Sequence, residues 1–223
     1  MANYLVRTTQ PTGNMPEYSS IYGAVSPAWN SCILGNYHNT WNQGQPGANV
    51  LHNCTGFAQG RMIECYNMIN GNPITSYGTN IFSIFNQDAQ KWYQIAQSNG
   101  FSVGSTPQAG CVGVWANGPV NDPNTIGHVA FFEKYENGQW MISEGHANYD
   151  GNTHGNTWGS WDYSYIQSNG LPAFIGADPS WYTIGYIYLP GITPDPGGDI
   201  PPGPPAFRSG KLPIWMYLKR LPF

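Results

Sequence analysis

Gly127-His128-Val129-Ala130-Phe131-Phe132-Glu133-Lys134-Tyr135-Glu136-Asn137-Gly138-Gln139-Trp140-Met141-Ile142-Ser143-Glu144 is the stretch from which the fold is read. Two β-rich runs, His128 to Tyr135 and Gln139 to Glu144, are separated by Glu136-Asn137-Gly138. An Asn-Gly pair between apolar runs signals a tight turn, so the two runs are expected to form an antiparallel hairpin. His128 then heads an apolar strand at its rim, Glu144 ends the partner strand, and a turn of this length brings the two side chains close.

Outward from the hairpin, Cys111 to Trp115 and Thr183 to Leu189 are expected as further strands. Gly145 to Leu171 reads as one long Gly/Asn/Trp/Tyr-rich loop, and loops of that length usually shape binding sites. Its Trp158, Trp161, Tyr163 and Tyr165 either line a groove for a sugar-peptide chain or pin the loop to the domain, and the sequence leaves both open. Upstream the period changes to that of a helix. Phe57, Ala58, Met62, Cys65, Met68 and Ile69 recur at helical spacing from Cys54 to about Ile69, with Asn53 as cap and Asn70-Gly71-Asn72-Pro73 as stop. A second helix is expected from Asn86 to Gln97, with Ala89, Trp92, Tyr93 and Ala96 on one face and Asn99-Gly100 as terminator. Helices followed by antiparallel strands make an α+β domain.

The chain of 223 residues is long enough for one well-buried domain. Only 9% of its residues are charged, against about 25% in an average domain. Nine Trp, fifteen Tyr and nine Phe supply the apolar area to bury, and amides and hydroxyls supply the polar surface. Residues 1–189 are expected to form the domain with a loop-rich amino-terminal wrap, residues 190–206 a Pro/Gly-rich linker, and residues 207–223 a basic, apolar tail. Arg208, Lys211, Lys219 and Arg220 all follow the last acidic residue, Asp199, so the body is acidic, which argues against a nucleic-acid partner. No apolar run approaches membrane-spanning length, and the start has no apolar core of signal-peptide length. Synthesis in a cytoplasm is therefore expected, with release to an outside substrate left to other factors.

The four cysteines, Cys32, Cys54, Cys65 and Cys111, show no CxxC pair and no disulfide framework. A cysteine at a helix amino end is different in kind, because the helix and a neighbouring imidazolium both favour the thiolate. Cys54 stands there, the N–H groups of the same first turn can receive an oxyanion, and Thr55 and Gly56 leave room for substrate. His128 can act as base toward the thiol and as acid toward a leaving amine, with a polar orienter behind it. His38 and His154 sit in polar loops, His52 lies two residues before Cys54 but its side chain is expected to point elsewhere from a cap position, and Cys65 and Cys111 fall on apolar stretches that mark them as core.

The order Asn53-Cys54-Thr55-Gly56-Phe57, Gly110-Cys111-Val112-Gly113-Val114-Trp115, Gly127-His128-Val129-Ala130 and Ile142-Ser143-Glu144 resembles the CHAP family of cysteine, histidine-dependent amidohydrolases and peptidases over roughly Asn53 to Asn148. The resemblance implies a papain-like fold, with amino-terminal helices packed on a small antiparallel sheet. It implies a peptidoglycan hydrolase, an N-acetylmuramoyl-L-alanine amidase or a cross-link endopeptidase, with Cys54 as nucleophile, His128 as proton shuttle and Glu144 as orienter. Where the family usually carries Asn two positions after the glutamate, this chain has His146, and Asn148 comes two further on, so Asn148 or His146 is the fourth candidate. Some phage members bind calcium just before the cysteine, but Trp41 to Asn53 contains no Asp or Glu, so neither metal nor cofactor is expected.

The expected setting is a bacteriophage lysin, either an endolysin held in the host cytoplasm until release to the wall or a virion component with phage tail proteins as partners. Three rivals stand beside it. They are a non-catalytic wall- or glycan-binding module, a structural tail protein on the same fold, and a thiol amidase acting on small cytoplasmic peptides.

Overall fold

A computed structural model describes residues 3–4, 6–8, 54–72, 81–82, 84–85, 87–120, 122, 125–145 and 161–192. The linker beyond residue 192, the basic tail and all but five residues of the amino-terminal wrap lie outside the described residues. Helix α1 spans Cys54–Ile69, a 3₁₀ turn spans Ala89–Lys91, and helix α2 spans Trp92–Ser98. The strands are β1 Ser102–Gly104, β2 Cys111–Ala116, β3 His128–Glu136, β4 Gln139–Gly145, β5 Trp161–Tyr165 and β6 Tyr182–Tyr188. They form one six-stranded sheet in the order β1-β6-β2-β3-β4-β5, every pairing antiparallel. The domain is α+β, as the sequence pattern predicts. No described helix is long and apolar enough to cross a membrane.

The hairpin that anchors the sequence reading is present. Asn137 and Gly138 take positive φ, 54° and 80°, the left-handed pair that a two-residue hairpin turn of matching twist requires. β2 is buried along its whole length, because both faces of the sheet are covered. On one face Phe57, Ala58, Met62 and Cys65 of α1 pack with Trp92 and Ala96 of α2 against Val112, Val114, Val129, Phe131 and Ile187. Burial of such side chains stabilises the fold by roughly 1.5–3 kcal/mol each. On the other face Trp115, Ala130, Phe132 and Ile142 are covered by Leu171, Ile175 and Trp181 from the segment that leads into β6.

Two sequence expectations change. The second helix is shorter than Asn86 to Gln97: its first turn is 3₁₀, and α2 begins only at Trp92. The carbonyls that would start it are engaged locally, that of Gln87 by the Trp92 indole at 3.0 Å and that of Asp88 by the Lys91 N–H at 2.9 Å. The stretch from Gly145 to Leu171 is not all loop, since Trp161–Tyr165 forms the edge strand β5 on β4. Trp161-Asp162-Tyr163-Ser164-Tyr165 alternates apolar and polar with the period of a strand, a signal hidden by the Gly/Asn-rich residues before it.

Candidate active site

α1 presents Cys54 as its first residue, partly exposed and with a free thiol. Asn53, the expected cap, lies outside the described residues. His128 opens β3 opposite Trp115 of β2 and is 4% exposed. Its position is fixed by the residue before it. Gly127 has φ +69°, and a Cβ there would stand 2.5 Å from the Trp115 carbonyl oxygen and 2.7 Å from the Gln90 backbone nitrogen. Only glycine fits that approach. Buried Gln90 locks the same segment. Its backbone N–H donates to the Ile126 carbonyl at 3.2 Å, its side-chain amide donates to the Thr125 carbonyl, and the Thr125 hydroxyl donates to Gln90 Oε1 at 2.7 Å.

Glu144, fully buried near the end of β4, lies 2.6 Å through Oε2 from His128 Nε2. The Cys54 thiol is hydrogen-bonded to the same imidazole, and with Nε2 engaged by Glu144, Nδ1 is the ring nitrogen that meets it. Thiol, imidazole and carboxylate thus form one chain of hydrogen bonds. Burial by itself disfavours the imidazolium. The bonds to Cys54 and Glu144, with the charges behind them, outweigh burial and raise the His128 pKa from 6.5 to about 10. An imidazolium that persists at neutral pH keeps, beside the Cys54 sulfur, a proton that a thiol-dependent acyl transfer would use. The Trp115 and Phe174 rings pack on the imidazole, with centroids 6.1 and 5.5 Å away.

The structure therefore brings Cys54, His128 and Glu144 together, while Asn148 and His146 lie outside the described residues. Cys65 and Cys111 are buried, and burial pushes both thiols up to about 12, which keeps them protonated. Of the loop aromatics, Tyr163 packs against the core, Tyr165 is exposed, and Trp158 lies outside the described residues. A cleft of about 700 Å³ lined by Ile81, Ile84, Phe101 and Tyr188 opens elsewhere, and none of the three site residues borders it.

Sequence reasoning overlooks two features, a buried ion-pair cluster between α1 and β3 and the ring against His128. Arg61 of α1 is fully buried and forks onto Glu133 of β3, Nε to Oε1 at 2.8 Å and Nη2 to Oε2 at 2.9 Å. Arg61 also bonds Glu64, Arg7 bonds Glu64 at 2.7 Å, and the Ser143 hydroxyl donates to Glu133 at 2.5 Å. Charged residues within otherwise apolar runs, Arg61 and Glu64 in the helix and Glu133 after Val-Ala-Phe-Phe, were the available signal. Phe174 carries none, because its contact with His128 joins elements distant in sequence.

The CHAP domain family model matches residues 28–146, just over half of the chain, and the matched span contains Cys54, His128 and Glu144. It begins upstream of Asn53, where the quoted motifs start, and ends before Asn148. No curated protein and no solved structure matches the chain.

Proposed function

The chain belongs to the CHAP domain family, a family of amidohydrolases and peptidases that act on peptidoglycan, and from that premise we propose that it cuts an amide bond of the bacterial wall by a thiol mechanism. The observation that carries this is the series of hydrogen bonds from Cys54 through His128 to buried Glu144. Cys54 Sγ attacks the carbonyl carbon, and N–H groups of the first turn of α1 receive the negative charge on oxygen. As the C–N bond breaks, His128 gives its proton to the departing amine and a thioester remains. Water then attacks the thioester while His128 takes a proton from it, and the acid leaves with the thiolate restored. Glu144 holds one imidazole nitrogen throughout, so that the other faces sulfur.

Within this class we favour a phage lysin, supported by the Asn-, Gly- and Tyr-rich, charge-poor composition. Purified cell walls incubated with the protein should clear, and mass spectrometry of the fragments should reveal one new kind of terminus. A new L-alanine amine would mark an amidase, and a new terminus within the cross-link an endopeptidase. Wall fragments that keep every bond intact, or clearing by Cys54→Ala at the wild-type rate, would overturn the proposal.

A further inference from the structure

Five large apolar side chains stand exposed among the described residues, and three of them gather at the His128 end of the sheet. Ile126, 45% exposed, lies two residues before His128. Tyr182, 44% exposed, faces Ala116 across β6 and β2, one register step from the pairing of Trp115 with His128. Phe174 is the most exposed of the five at 56%, and its ring packs on the imidazole.

Phe174 is held there by an ordered loop. The Ala173 N–H donates to the Tyr165 carbonyl at 2.9 Å, and the Gln167 side-chain amide donates to the carbonyls of Pro172 and Gly176, both at 3.0 Å. The Trp115 indole donates to the Gly170 carbonyl at 3.0 Å, which fixes the loop to the strand that faces His128. A loop with this many internal bonds, capped by a mostly exposed phenyl ring, holds apolar surface ready for a ligand.

Position decides which part of the ligand. His128 hands its proton to the departing nitrogen, so a group in contact with the imidazole stands beside the amine half of the substrate. We propose that Phe174, whose ring lies against the imidazole, forms the binding surface for an apolar side chain on the residue whose amine is released, and so selects alanine there over glycine or aspartate. This rests on the hydrolase reading above.

Once fragment analysis has named the cut bond, soluble peptides of that bond with alanine, glycine or aspartate on the amine side provide the test. For the wild type, kcat/KM should favour alanine over glycine by about tenfold, the scale of one methyl group in an apolar pocket. Phe174→Ser should bring that ratio close to one, and Phe174→Leu should preserve most of it. The pH profile of Cys54 alkylation by iodoacetamide should match the wild type in both variants. Equal loss on all three peptides with a shifted alkylation profile would overturn the inference and make Phe174 a cover for the imidazole. A wild-type ratio of one, or an unchanged ratio in Phe174→Ser, would overturn it as well while leaving wall hydrolysis standing. A protein that alkylates at Cys54 yet cuts no wall would remove the hydrolase reading and this inference together.

Discussion

Two buried charged clusters bridge α1 and the β3–β4 hairpin, and they behave in opposite ways. In the first, Arg61 and Arg7 face Glu64 and Glu133, with Ser143 and the Tyr4 hydroxyl completing the bonds. Two cations meet two anions, no proton has to move, and the cluster is closed off beneath the helix. In the second, the His128 imidazole stands between the Cys54 thiol and the Glu144 carboxylate, and Cys54 is partly exposed. Charge balance makes a buried cluster a fastener; a proton left to exchange makes it a reagent. The first cluster docks the elements that carry the second, since Arg61 shares a helix with Cys54, Glu133 a strand with His128, and Ser143 precedes Glu144.

The sharpest way to separate the two is to break one at a time. Cys54→Ala should lower wall hydrolysis by on the order of 10⁴-fold, because nothing else supplies a nucleophile, while thermal melting stays near wild type. Arg61→Met should act on stability first. It leaves Glu133 and Glu64 buried with their main partner gone, at a cost of about 3–5 kcal/mol seen in denaturant unfolding. Arg61→Met combined with Glu133→Leu removes one charge of each sign, leaves Glu64 paired with Arg7, and should recover part of that loss. Recovery of stability without recovery of kcat would show that the salt cluster also sets the site's geometry.

Glu144→Gln tests the other cluster at smaller scale, with an expected loss of about ten- to hundredfold in kcat and a larger loss for Glu144→Ala. Its effect on stability depends on pH in a defined direction. The His128 pKa is raised in the folded state, so the stability it contributes is fully present below about 6.5 and is lost as pH rises through about 10. Wild type should therefore exceed Glu144→Gln in stability by most near pH 6 and by least near pH 10, as read from unfolding curves across that range. Smaller still, Cys65→Ala and Cys111→Ala should each cost about 1–2 kcal/mol and leave specific activity unchanged, since both are packed thiols. Least of all, a strong chelator should leave the lysis rate unaltered, because Trp41 to Asn53 holds no carboxylate.

Much of this contrast was legible in the chain. The Asn137-Gly138 turn sets the hairpin register beside it, and a β-bulge between Phe132 and Lys134 shifts that register by one, so that His128 and Glu144 come to one face of the sheet. Helical spacing from Phe57 to Ile69 marks the core face of α1 in the same local way. The elements that were harder to read depend on partners far along the chain. β5 becomes a strand through β4, the start of α2 follows a Gln87 carbonyl turned to the Trp92 indole, and Phe174 reaches His128 only once the loop has docked on Trp115. The buried arginine belongs with these, because a charged residue in a helix is read as surface until its partner on β3 is in place.

The hairpin also has a consequence in time. His128 and Glu144 are 16 residues apart and joined by a tight turn, so the base and its carboxylate can meet in an early, local folding event. Cys54 comes from far upstream and reaches them only when α1 closes over the sheet. Until then it is one ordinary thiol among several on a nascent chain, no readier than Cys65 or Cys111 to attack a neighbour's amide. Under the proposed mechanism, that order of assembly arms the sulfur only in a molecule that has finished folding.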